Sequence, residues 1–335
     1  GPFVNGQSVY FANVNRGKQS VCLNLKTPRG QELALGLARH ADVLVENFRP
    51  GTMARLGLSY ERVAEVNPRL IYASVSGFGQ TGPYRDRGAY DVIIQAMGGL
   101  MGITGPEGGP PTRAGASVAD LTAALYATIG ILAALQRRNL TGQGVHLDVG
   151  MLDAVVSITE NAMARYWATG QSPAPLGNRH PTITPFSTFT SADGYVVIAA
   201  GNDALWRRLC AAIGRPDLCG DPDFQTNDLR TQNVERLTAE LNATLQTRTT
   251  AEWIAVLLEA GVPCGKVNTM ADLVADPHLR ARNMIVTINH PSLPGVVTPG
   301  SPLKAIGFDD TPGGAAPAFA AHTVSVLREL LGLGT

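Results

Sequence analysis

The sequence predicts an α/β fold in which a doubly wound parallel sheet is followed by a second, smaller α+β domain. Segments with strand and helix patterns alternate over the first half of the chain, which is typical of parallel strands joined by crossover helices. Residues 170–185 are rich in Pro, Gly, Asn and Ser and interrupt this alternation. A hairpin pattern and several helical patterns follow them. We therefore expect two domains of different topology.

Local signals place each element of the first half. Thr27 and Pro28 predict the start of a helix that runs to Arg39, because threonine caps helices and proline is favoured in the first turn. The longest apolar helical run is 121–135, and it follows Ser117, a second capping residue. The other predicted helices cover 60–66 and 151–168, and the predicted strands cover 20–25, 42–48, 70–76 and 145–149.

The second half of the sequence predicts a smaller domain and a C-terminal segment that returns to the large domain. A hairpin is expected over 186–200, with its turn at Ala192-Asp193-Gly194. The remaining predicted elements are helices near 205–213, 234–245, 251–259 and 324–331 and a strand over 285–289. We place the large domain at 1–170, the linker and small α+β domain at 171–284, and a C-terminal segment that returns to the large domain at 285–335.

Composition and charge argue against several classes of protein. The 335 residues are 44% hydrophobic and 16% charged with a formal net charge of zero, so the sequence has no basic footprint for nucleic acid. We see no apolar run long enough to predict a bilayer-spanning helix, and no signal-peptide pattern at the N-terminus. The cysteines, Cys22, Cys210, Cys219 and Cys264, include no C-x-x-C pair, which argues against zinc and disulfide frameworks. We expect a cytoplasmic protein that uses no metal and binds neither nucleic acid nor membrane.

A glycine motif follows the third predicted strand. Gly77-Phe-Gly79-Gln-Thr-Gly82 has the G-x-G-x-x-G spacing of a dinucleotide-binding turn. That function needs a helix directly after the glycines and an acid about 20 residues further on, at the end of the next strand. Here a loop follows, and the acid beyond that loop, Asp91, opens a helix. The motif therefore does not predict a nicotinamide cofactor.

Gly115-x-Ser117-x-Ala119 is close to the nucleophile elbow of serine hydrolases. The elbow requires a strand directly before the serine, so that the side chain stands on a sharp strand-to-helix turn. Residues 108–113 instead form a proline-rich loop, and no downstream histidine is marked as a catalytic base. We therefore interpret Ser117 as a helix cap.

Asp120 is the acid for which the sequence leaves two hypotheses open. It comes three residues after Ser117, in what should be the first turn of the long helix. Backbone N–H groups and the helix dipole favour an ionised carboxylate there, so Asp120 can simply stabilise the helix start. The other hypothesis is that it is a nucleophile held as an anion in an apolar site. Spacing alone does not separate the two.

Several motifs together resemble family III (CaiB/BaiF) CoA-transferases over nearly the whole chain. The matching segments are Asn15-Arg-Gly-Lys18, Leu25-Lys-Thr-Pro28, Asp42 to Gly51, Ser76 to Pro83, Tyr90-Asp91, Gln95 to Gly99, Val118-Ala-Asp-Leu121 and Gly261-Val-Pro. The resemblance implies a Rossmann-like large domain, a small domain and an interlocked homodimer. Thr104-Gly-Pro-Glu107 and Asn178-Arg-His180 look most like members that act on succinyl-CoA and small dicarboxylates.

The resemblance also implies the residues of a site. The family's nucleophilic aspartate falls on Asp120, and Arg55 is the expected partner of a CoA phosphate. Arg179 and His180 are candidates for gripping an acceptor carboxylate, against the alternative that both face solvent. The implied CoA contacts are Leu23, Asn24, Leu25, Lys26, Asn47, Phe48, Arg49, Arg55, Gly88, Ala89, Tyr90 and Asp91, and the altered glycine loop is Gly177, Asn178, Arg179 and His180.

The implied activity is transfer of CoA from an acyl-CoA to a small carboxylic or dicarboxylic acid, through aspartyl anhydride and aspartyl-CoA thioester intermediates. CoA and acyl-CoA are substrates, and no prosthetic group is expected. One alternative is a 2-methylacyl-CoA racemase, but that branch pairs its aspartate with a histidine where this chain has Tyr90, and a phenol is a poor base at neutral pH. A second alternative is a silent CoA-binding relative in which Asp120 only caps its helix.

The start of the chain departs from the family pattern. Members of the family begin with a further strand-helix-strand unit that contributes to the CoA site, and this unit is not recognisable here. We expect that a protein of only these residues folds poorly, because the sheet would lack strands and the CoA site would lack one wall.

Overall fold

The computed structural model describes residues 1–304, 307 and 313–333. The strands are β1 (Phe3–Val4), β2 (Gln7–Ser8), β3 (Val43–Glu46), β4 (Ile71–Ser76), β5 (Val145–Gly150), β6 (Phe186–Thr190), β7 (Tyr195–Ala199), β8 (Cys264–Lys266), β9 (Ile285–His290) and β10 (Leu293–Pro299). The helices are α1 (Val9–Val14), α2 (Pro28–His40), α3 (Thr52–Arg55), α4 (Tyr60–Val66), α5 (Asp91–Met97), α6 (Val118–Thr141), α7 (Met151–Ser157), α8 (Glu160–Thr169), α9 (Asp203–Ala212), α10 (Pro216–Gly220), α11 (Asn227–Gln232), α12 (Val234–Leu245), α13 (Thr250–Glu259), α14 (Met270–Ala275), α15 (Pro277–Ala281) and α16 (Thr323–Leu331). Two 3-10 helices cover Met101–Ile103 and Pro222–Phe224.

The chain forms two compact units. The described residues of Gly1–Leu100, Ala114–Glu160 and Ala271–Thr335 make up the large unit. Met101–Arg113 and Asn161–Met270 make up the small unit. The tail strands β9 and β10 and the helix α16 therefore belong to the same unit as the N-terminal elements.

A parallel sheet forms the centre of the large unit, which confirms the α/β prediction. Its strands lie in the order β3, β4, β5, with Val43 opposite Ile71 and Ile71 opposite Val145. Tyr72 and Val75 of β4 are an odd number of residues apart and point to opposite faces. Tyr72 packs in a cluster with α2 and α4, whereas Val75 packs in a cluster with α5, α6 and α7. Helices thus cover both faces of the sheet.

The predicted start of α2 is confirmed, but the strand predicted over 20–25 is wrong. Thr27 accepts a hydrogen bond from the Gly30 N–H at 3.1 Å, and Pro28 opens the helix. Residues 20–25 form no strand, because their backbone is bonded to the C-terminal segment instead. The Cys22 N–H donates to Thr323 Oγ1 at 2.9 Å and the Ser20 N–H donates to His322 Nδ1 at 3.2 Å.

The helix predicted over 151–168 is interrupted. It divides into α7 and α8 at Ile158 and Thr159. Near the break, Ser157 Oγ donates to the Ala154 carbonyl at 2.7 Å and Thr159 Oγ1 donates to the Val156 carbonyl at 2.8 Å. Hydroxyls that bond to nearby carbonyls compete with the helical pattern, which accounts for the break.

The small unit contains an antiparallel sheet packed against helices. The predicted hairpin is present as β6 and β7, and β8 adds to β7. Arg230 of α11 is fully buried, where it donates to the carbonyls of Thr184 and Phe224 and to the carboxylate of Asp203. A buried guanidinium is tolerated only when its donors are paired in this way.

One helix departs from the expectation that no segment could span a bilayer. Within the described ranges, α6 is long and apolar enough to do so, with 24 residues and a mean hydropathy of 1.8 over its best window. One face of α6 is nevertheless buried in the large unit through Ala119, Ala123 and Ala127. A helix of a soluble protein with a covered apolar face also reaches such values.

Candidate active site

A cavity of about 750 Å³ opens in the large unit beside the carboxyl ends of β3 and β4. This is the edge of a parallel sheet at which ligands commonly bind. Eight of the residues implied by the resemblance line it together: Asn47, Phe48, Arg49, Gly88, Ala89, Tyr90, Asp91 and Asp120. The remaining lining residues are Val45, Pro50, Val75, Ser76, Gly77, Arg87, Ala123, Ala124, Ala127, Thr128, Ile131 and Met151.

The loop after β3 is held by its own side chains. Asn47 Nδ2 donates to the Val75 carbonyl at 2.7 Å, which ties this loop to the neighbouring strand. The buried carboxylate of Glu46 accepts a hydrogen bond from the Phe48 N–H at 2.8 Å. The Phe48 and Arg49 side chains are exposed on this fixed backbone. They are therefore available to a ligand in the cavity.

Two glycines let the 88–91 segment lie close to the strand ends. A β-carbon at Gly77 would be 2.2 Å from Ala89 Cβ. A β-carbon at Gly88 would be 2.7 Å from Arg49 Nη2. Ala89 Cβ is fixed by its backbone, so position 77 needs glycine in this arrangement, whereas the end of the exposed Arg49 side chain can move away from position 88. The shape of the cavity wall therefore depends on the contact at Gly77.

Asp120 lies in the first turn of α6, as the sequence predicts, and its side chain is exposed. Ser117 is the residue at the N-cap position, but its side chain does not make the capping hydrogen bond, so that part of the prediction is wrong. The cap comes from another helix. Asp91 of α5 accepts a hydrogen bond from the Ala119 N–H at 2.9 Å in a buried position.

The glycine motif of residues 77–82 forms a loop and is not followed by a helix until Asp91. The Gln80 N–H donates to both carboxylate oxygens of Asp148, at 3.0 and 2.9 Å. A β-carbon added at Gly79 would lie 3.4 Å from the same carboxylate. The loop is thus fixed to β5 by a carboxylate and lacks the helix N-terminus that a pyrophosphate requires.

The other implied CoA contacts, Leu23 to Lys26 and Arg55, do not line this cavity. The 23–26 segment ends in a turn at Leu25 and Lys26 before α2, and Gln31 Nε2 donates to the Leu25 carbonyl at 3.1 Å. Arg55 is exposed at the end of α3 and donates to Thr52 Oγ1 at 2.8 Å. Their role in CoA binding stays a prediction.

The segment Gly177 to His180 belongs to the small unit. Asn178 and Arg179 line a second cavity there, of about 490 Å³. Arg179 pairs with Glu107 through two hydrogen bonds, one of them from Nε to Oε2 at 3.1 Å. His180 Nδ1 accepts from the Thr182 N–H at 3.2 Å, and its ring centroid lies 5.3 Å from that of Phe186. Neither side chain simply faces solvent.

The ion pair has a defined pH dependence. The hydrogen bond from Arg179, with its charge, lowers the pKa of Glu107. A lowered folded-state pKa means that the pair stabilises the unit above the ordinary pKa of glutamate and that this contribution is lost as the pH falls through the lowered value. Because Glu107 is largely exposed, the contribution is small, on the order of 1 kcal/mol or less.

Sequence reasoning missed two residues of the large-unit site, Arg87 and Gln95. Arg87 lines the cavity. Ser76, at the end of β4, also lines it, and its buried Oγ has no hydrogen-bond partner within the described part of the chain. Gln95 is fully buried and bonds to the segment before α6. Gln95 stood in a recognised motif, but nothing local in the sequence indicated what it contacts. Over residues 1–304, 307 and 313–333, no group of three or more His, Cys, Asp or Glu side chains is arranged to hold a metal ion.

The fold and the cavity define an α/β protein with a ligand site at the carboxyl edge of a parallel sheet and a carboxylate on its wall. The model of CoA-transferase family III matches residues 1–323, and the chain belongs to this family and is a CoA-transferase.

Relatives agree with this assignment. The chain is 47% identical to acetyl-CoA:oxalate CoA-transferase of Acetobacter aceti, over 92% of this chain and 79% of that protein. It is 42% identical to succinyl-CoA:mesaconate CoA-transferase of Haloarcula hispanica, over 97% of this chain and 83% of that protein. The crystal structure of a CaiB/BaiF family protein from Brucella suis matches with a TM-score of 0.88 and 38% identity, over 98% of this chain and 87% of that one.

Proposed function

We propose that the protein transfers CoA from a donor such as succinyl-CoA to a small dicarboxylic acid, with Asp120 as the nucleophile. The observation that carries this proposal is the position of Asp120 on the wall of a cavity that is also lined by seven residues implied to bind CoA. The wall beside Asp120 is apolar, with Ala123, Ala124 and Ala127. An apolar wall limits hydration of the carboxylate and of reactive acyl intermediates.

The first half of the reaction releases the donor acid. A carboxylate oxygen of Asp120 attacks the donor thioester carbonyl, the C–S bond breaks, and an aspartyl-acyl anhydride and CoA thiolate form. The thiolate then attacks the aspartyl carbonyl of this anhydride. The donor leaves as a free carboxylate, and the enzyme holds an aspartyl-CoA thioester.

The second half reverses these steps with the acceptor. The acceptor carboxylate attacks the aspartyl-CoA carbonyl, which forms a second anhydride and releases the thiolate. The thiolate attacks the acceptor's acyl carbonyl, so the new acyl-CoA leaves and the Asp120 carboxylate is regenerated. No net proton, electron or water is consumed. Each tetrahedral intermediate needs N–H donors aimed at its oxyanion.

Racemisation fits this site less well. A racemase needs a second acid or base to exchange the α-proton of the substrate. Tyr90 takes the corresponding position, lines the cavity and is 81% exposed. A solvated phenol does not accept a carbon-bound proton efficiently at neutral pH. A silent CoA-binding protein would differ from a transferase by its lack of turnover.

The choice of a dicarboxylate rests on the relatives and on Arg179. The relatives above are named for oxalate and mesaconate as acceptors. Arg179 already binds a carboxylate, that of Glu107, and it lines the cavity of the small unit. A carboxylate that enters this cavity therefore competes with Glu107 for the guanidinium.

Replacing Glu107 with glutamine is expected to lower the KM for a dicarboxylic acceptor about threefold, because the guanidinium loses its internal anion. Arg179→Met should raise that KM by tenfold or more, and the double variant should behave like Arg179→Met. Initial rates at saturating acyl-CoA measure these constants. Glu235→Gln, a lining acid of the same cavity, is the matched control. An unchanged KM in Arg179→Met would rule out this residue as an acceptor ligand.

The proposed activity is tested with a panel of carboxylic acids. The purified protein is incubated with succinyl-CoA and one acid at a time, and the CoA esters are separated by chromatography. We expect new esters of oxalate, mesaconate or glutarate, and none of acetate or propionate at equal concentration. A protein that binds CoA but forms no new ester with any acid would be a silent relative.

We also propose that two copies of the chain form a homodimer that covers an exposed stripe of α6. Leu121, Leu125, Ile129 and Leu132 share one helix face and are between 57% and 65% exposed. Their spacing of three and four residues makes the stripe continuous. A continuous exposed apolar stripe is typical of an interface. Its occupation by a second copy would also account for the high hydropathy of a helix whose other face is packed.

Leu125→Lys combined with Ile129→Lys is expected to convert the dimer to a monomer, because two charges would be buried in an apolar contact. Light scattering during size-exclusion chromatography measures the mass. Leu258→Lys places the same charge on an equally exposed leucine of the small unit and should leave the dimer intact. A wild-type protein that is monomeric and binds lipid vesicles through α6 would contradict the proposal.

A further inference from the structure

Two buried polar side chains of α5 hold the start of the helix that carries Asp120. Asp91 is 8% exposed and Gln95 is fully buried. Asp91 Oδ1 accepts from the Ala119 N–H at 2.9 Å, and Asp91 Oδ2 accepts from Gln95 Nε2 at 2.8 Å. The two side chains therefore act as one unit.

Gln95 extends the same network to the segment before the helix. Its Oε1 accepts from the Ala114 N–H at 2.9 Å, and its Nε2 lies 3.3 Å from the Ala116 carbonyl. With the bond to Ala119, this network reaches three backbone positions between 114 and 119. The amide group of Gln95 matches a donor and an acceptor in fixed places, which a carboxylate or a methyl group could not do.

The network supplies a capping hydrogen bond that the N-cap residue of a helix normally makes itself. The Ser117 side chain makes no capping hydrogen bond, whereas the Asp91 carboxylate accepts from an N–H of the first turn. A carboxylate there is also favoured by the helix dipole. The acceptor for this turn thus comes from a helix that precedes it by more than 20 residues.

The position of Asp120 depends on this arrangement. Ala119 is completely buried and is bonded through its N–H to Asp91, and Asp120 is the next residue. Adjacent α-carbons are a fixed distance apart, so the Ala119 backbone determines where the Asp120 side chain starts. An error of about 1 Å in the placement of a nucleophile can cost a hundredfold in rate.

We propose that Asp91 and Gln95 are positioning residues for the reaction, which set the backbone of the first turn of α6 and through it the attack geometry of Asp120. This proposal rests on the proposed role of Asp120. It gives Asp91 a function other than the direct CoA contact that the family resemblance implies, because both of its carboxylate oxygens accept hydrogen bonds from the protein.

The test measures kcat and KM separately in a graded series. Asp91→Asn keeps one acceptor for the Ala119 N–H, and Asp91→Ala keeps none. We expect kcat to fall about tenfold in Asp91→Asn and about a hundredfold in Asp91→Ala, with the KM for acyl-CoA changed by less than about threefold. Gln95→Met, which keeps the volume but removes all three hydrogen bonds of Gln95, should resemble Asp91→Asn. Formation of the acyl adduct on Asp120 in a single turnover should slow by the same factors.

A matched control separates positioning from stability. Thr250 is buried in the small unit and bonds to Asp193 through its N–H and its hydroxyl, so Thr250→Ala removes a buried polar group away from α6. We expect it to lower Tm with kcat unchanged. If Asp91→Ala is insoluble, Asp91→Asn and Gln95→Met decide the question alone.

The inference would be overturned if kcat were unchanged in all soluble variants, or if it fell no more than in Thr250→Ala. It would also be overturned by a raised KM for acyl-CoA with unchanged kcat, because that result indicates direct CoA contact. Failure of the proposed function looks different. In that case Asp120→Asn itself retains activity, whereas failure of the inference alone leaves Asp120→Asn inactive and the Asp91 variants active.

Discussion

Replacing Asp120 with asparagine is expected to abolish CoA transfer, with kcat reduced by at least about a thousandfold. The amide has nearly the same shape but is not a nucleophile, so neither the anhydride nor the aspartyl-CoA thioester can form. The fold should survive, because a single exposed acid in a first helical turn contributes only about 0.3–1 kcal/mol to stability. Steady-state rates and thermal melting measure the two effects.

Asp153 offers a matched control for this substitution. It is an exposed acid in the first turn of α7, so Asp153→Asn makes the same change at the same kind of helix position. We expect it to keep its activity within about twofold. If Asp120→Asn and Asp153→Asn are equally active, Asp120 is only a stabiliser of its helix start.

Gly77→Ala is expected to have the second large effect, through the shape of the cavity wall. The new methyl group would lie 2.2 Å from Ala89 Cβ, so the 88–91 segment must move away from the end of β4. Overpacking of this kind costs about 1–3 kcal/mol of unfolding free energy. Because Gly88 to Asp91 line the cavity, we expect the KM for acyl-CoA to rise by roughly tenfold or more.

A second substitution should reverse this effect. The backbone of Gly77 is not in the left-handed region, and the atom that a new β-carbon would overlap is the Ala89 Cβ. Gly77→Ala combined with Ala89→Gly removes one methyl group and adds the other, and the KM should return to within about threefold of wild type. Because the double variant exchanges one glycine for another, its unfolding free energy should stay within about 1 kcal/mol of wild type. If the double variant is as impaired as Gly77→Ala, the contact does not determine the cavity shape.

The elements of the fold that the sequence predicted well carry local signals. Thr27 and Pro28 mark the start of α2, and the turn around Asp193 marks the hairpin, because capping and turn chemistry act within a few residues. The strand predicted over 20–25 had a suitable apolar pattern. Its backbone is bonded to His322 and Thr323, about 300 residues away, and no local pattern shows such a choice.

The residues of the candidate site also divide into those that a sequence signal predicted and those that no signal predicted. Ligands bind at the carboxyl ends of parallel strands, so the strands predicted over 42–48 and 70–76 already place Asn47, Phe48 and Ser76 at the edge where the cavity lies. The resemblance added Asp120 and Tyr90, which line the same cavity. The bonds from Asp91 and Gln95 to residues 114–119 could not be predicted, because they depend on how two helices pack.

The most direct test of the central claim is the mass of the protein after brief incubation with succinyl-CoA. Denatured mass spectra should show a fraction of the chain increased by the mass of a succinyl or a CoA group, and peptide mapping should locate the addition on Asp120. Hydroxylamine should remove it, since anhydrides and thioesters are cleaved by this nucleophile, and Asp120→Asn should show no addition. An adduct on another residue, or steady CoA transfer by Asp120→Asn at the wild-type rate, would contradict the account.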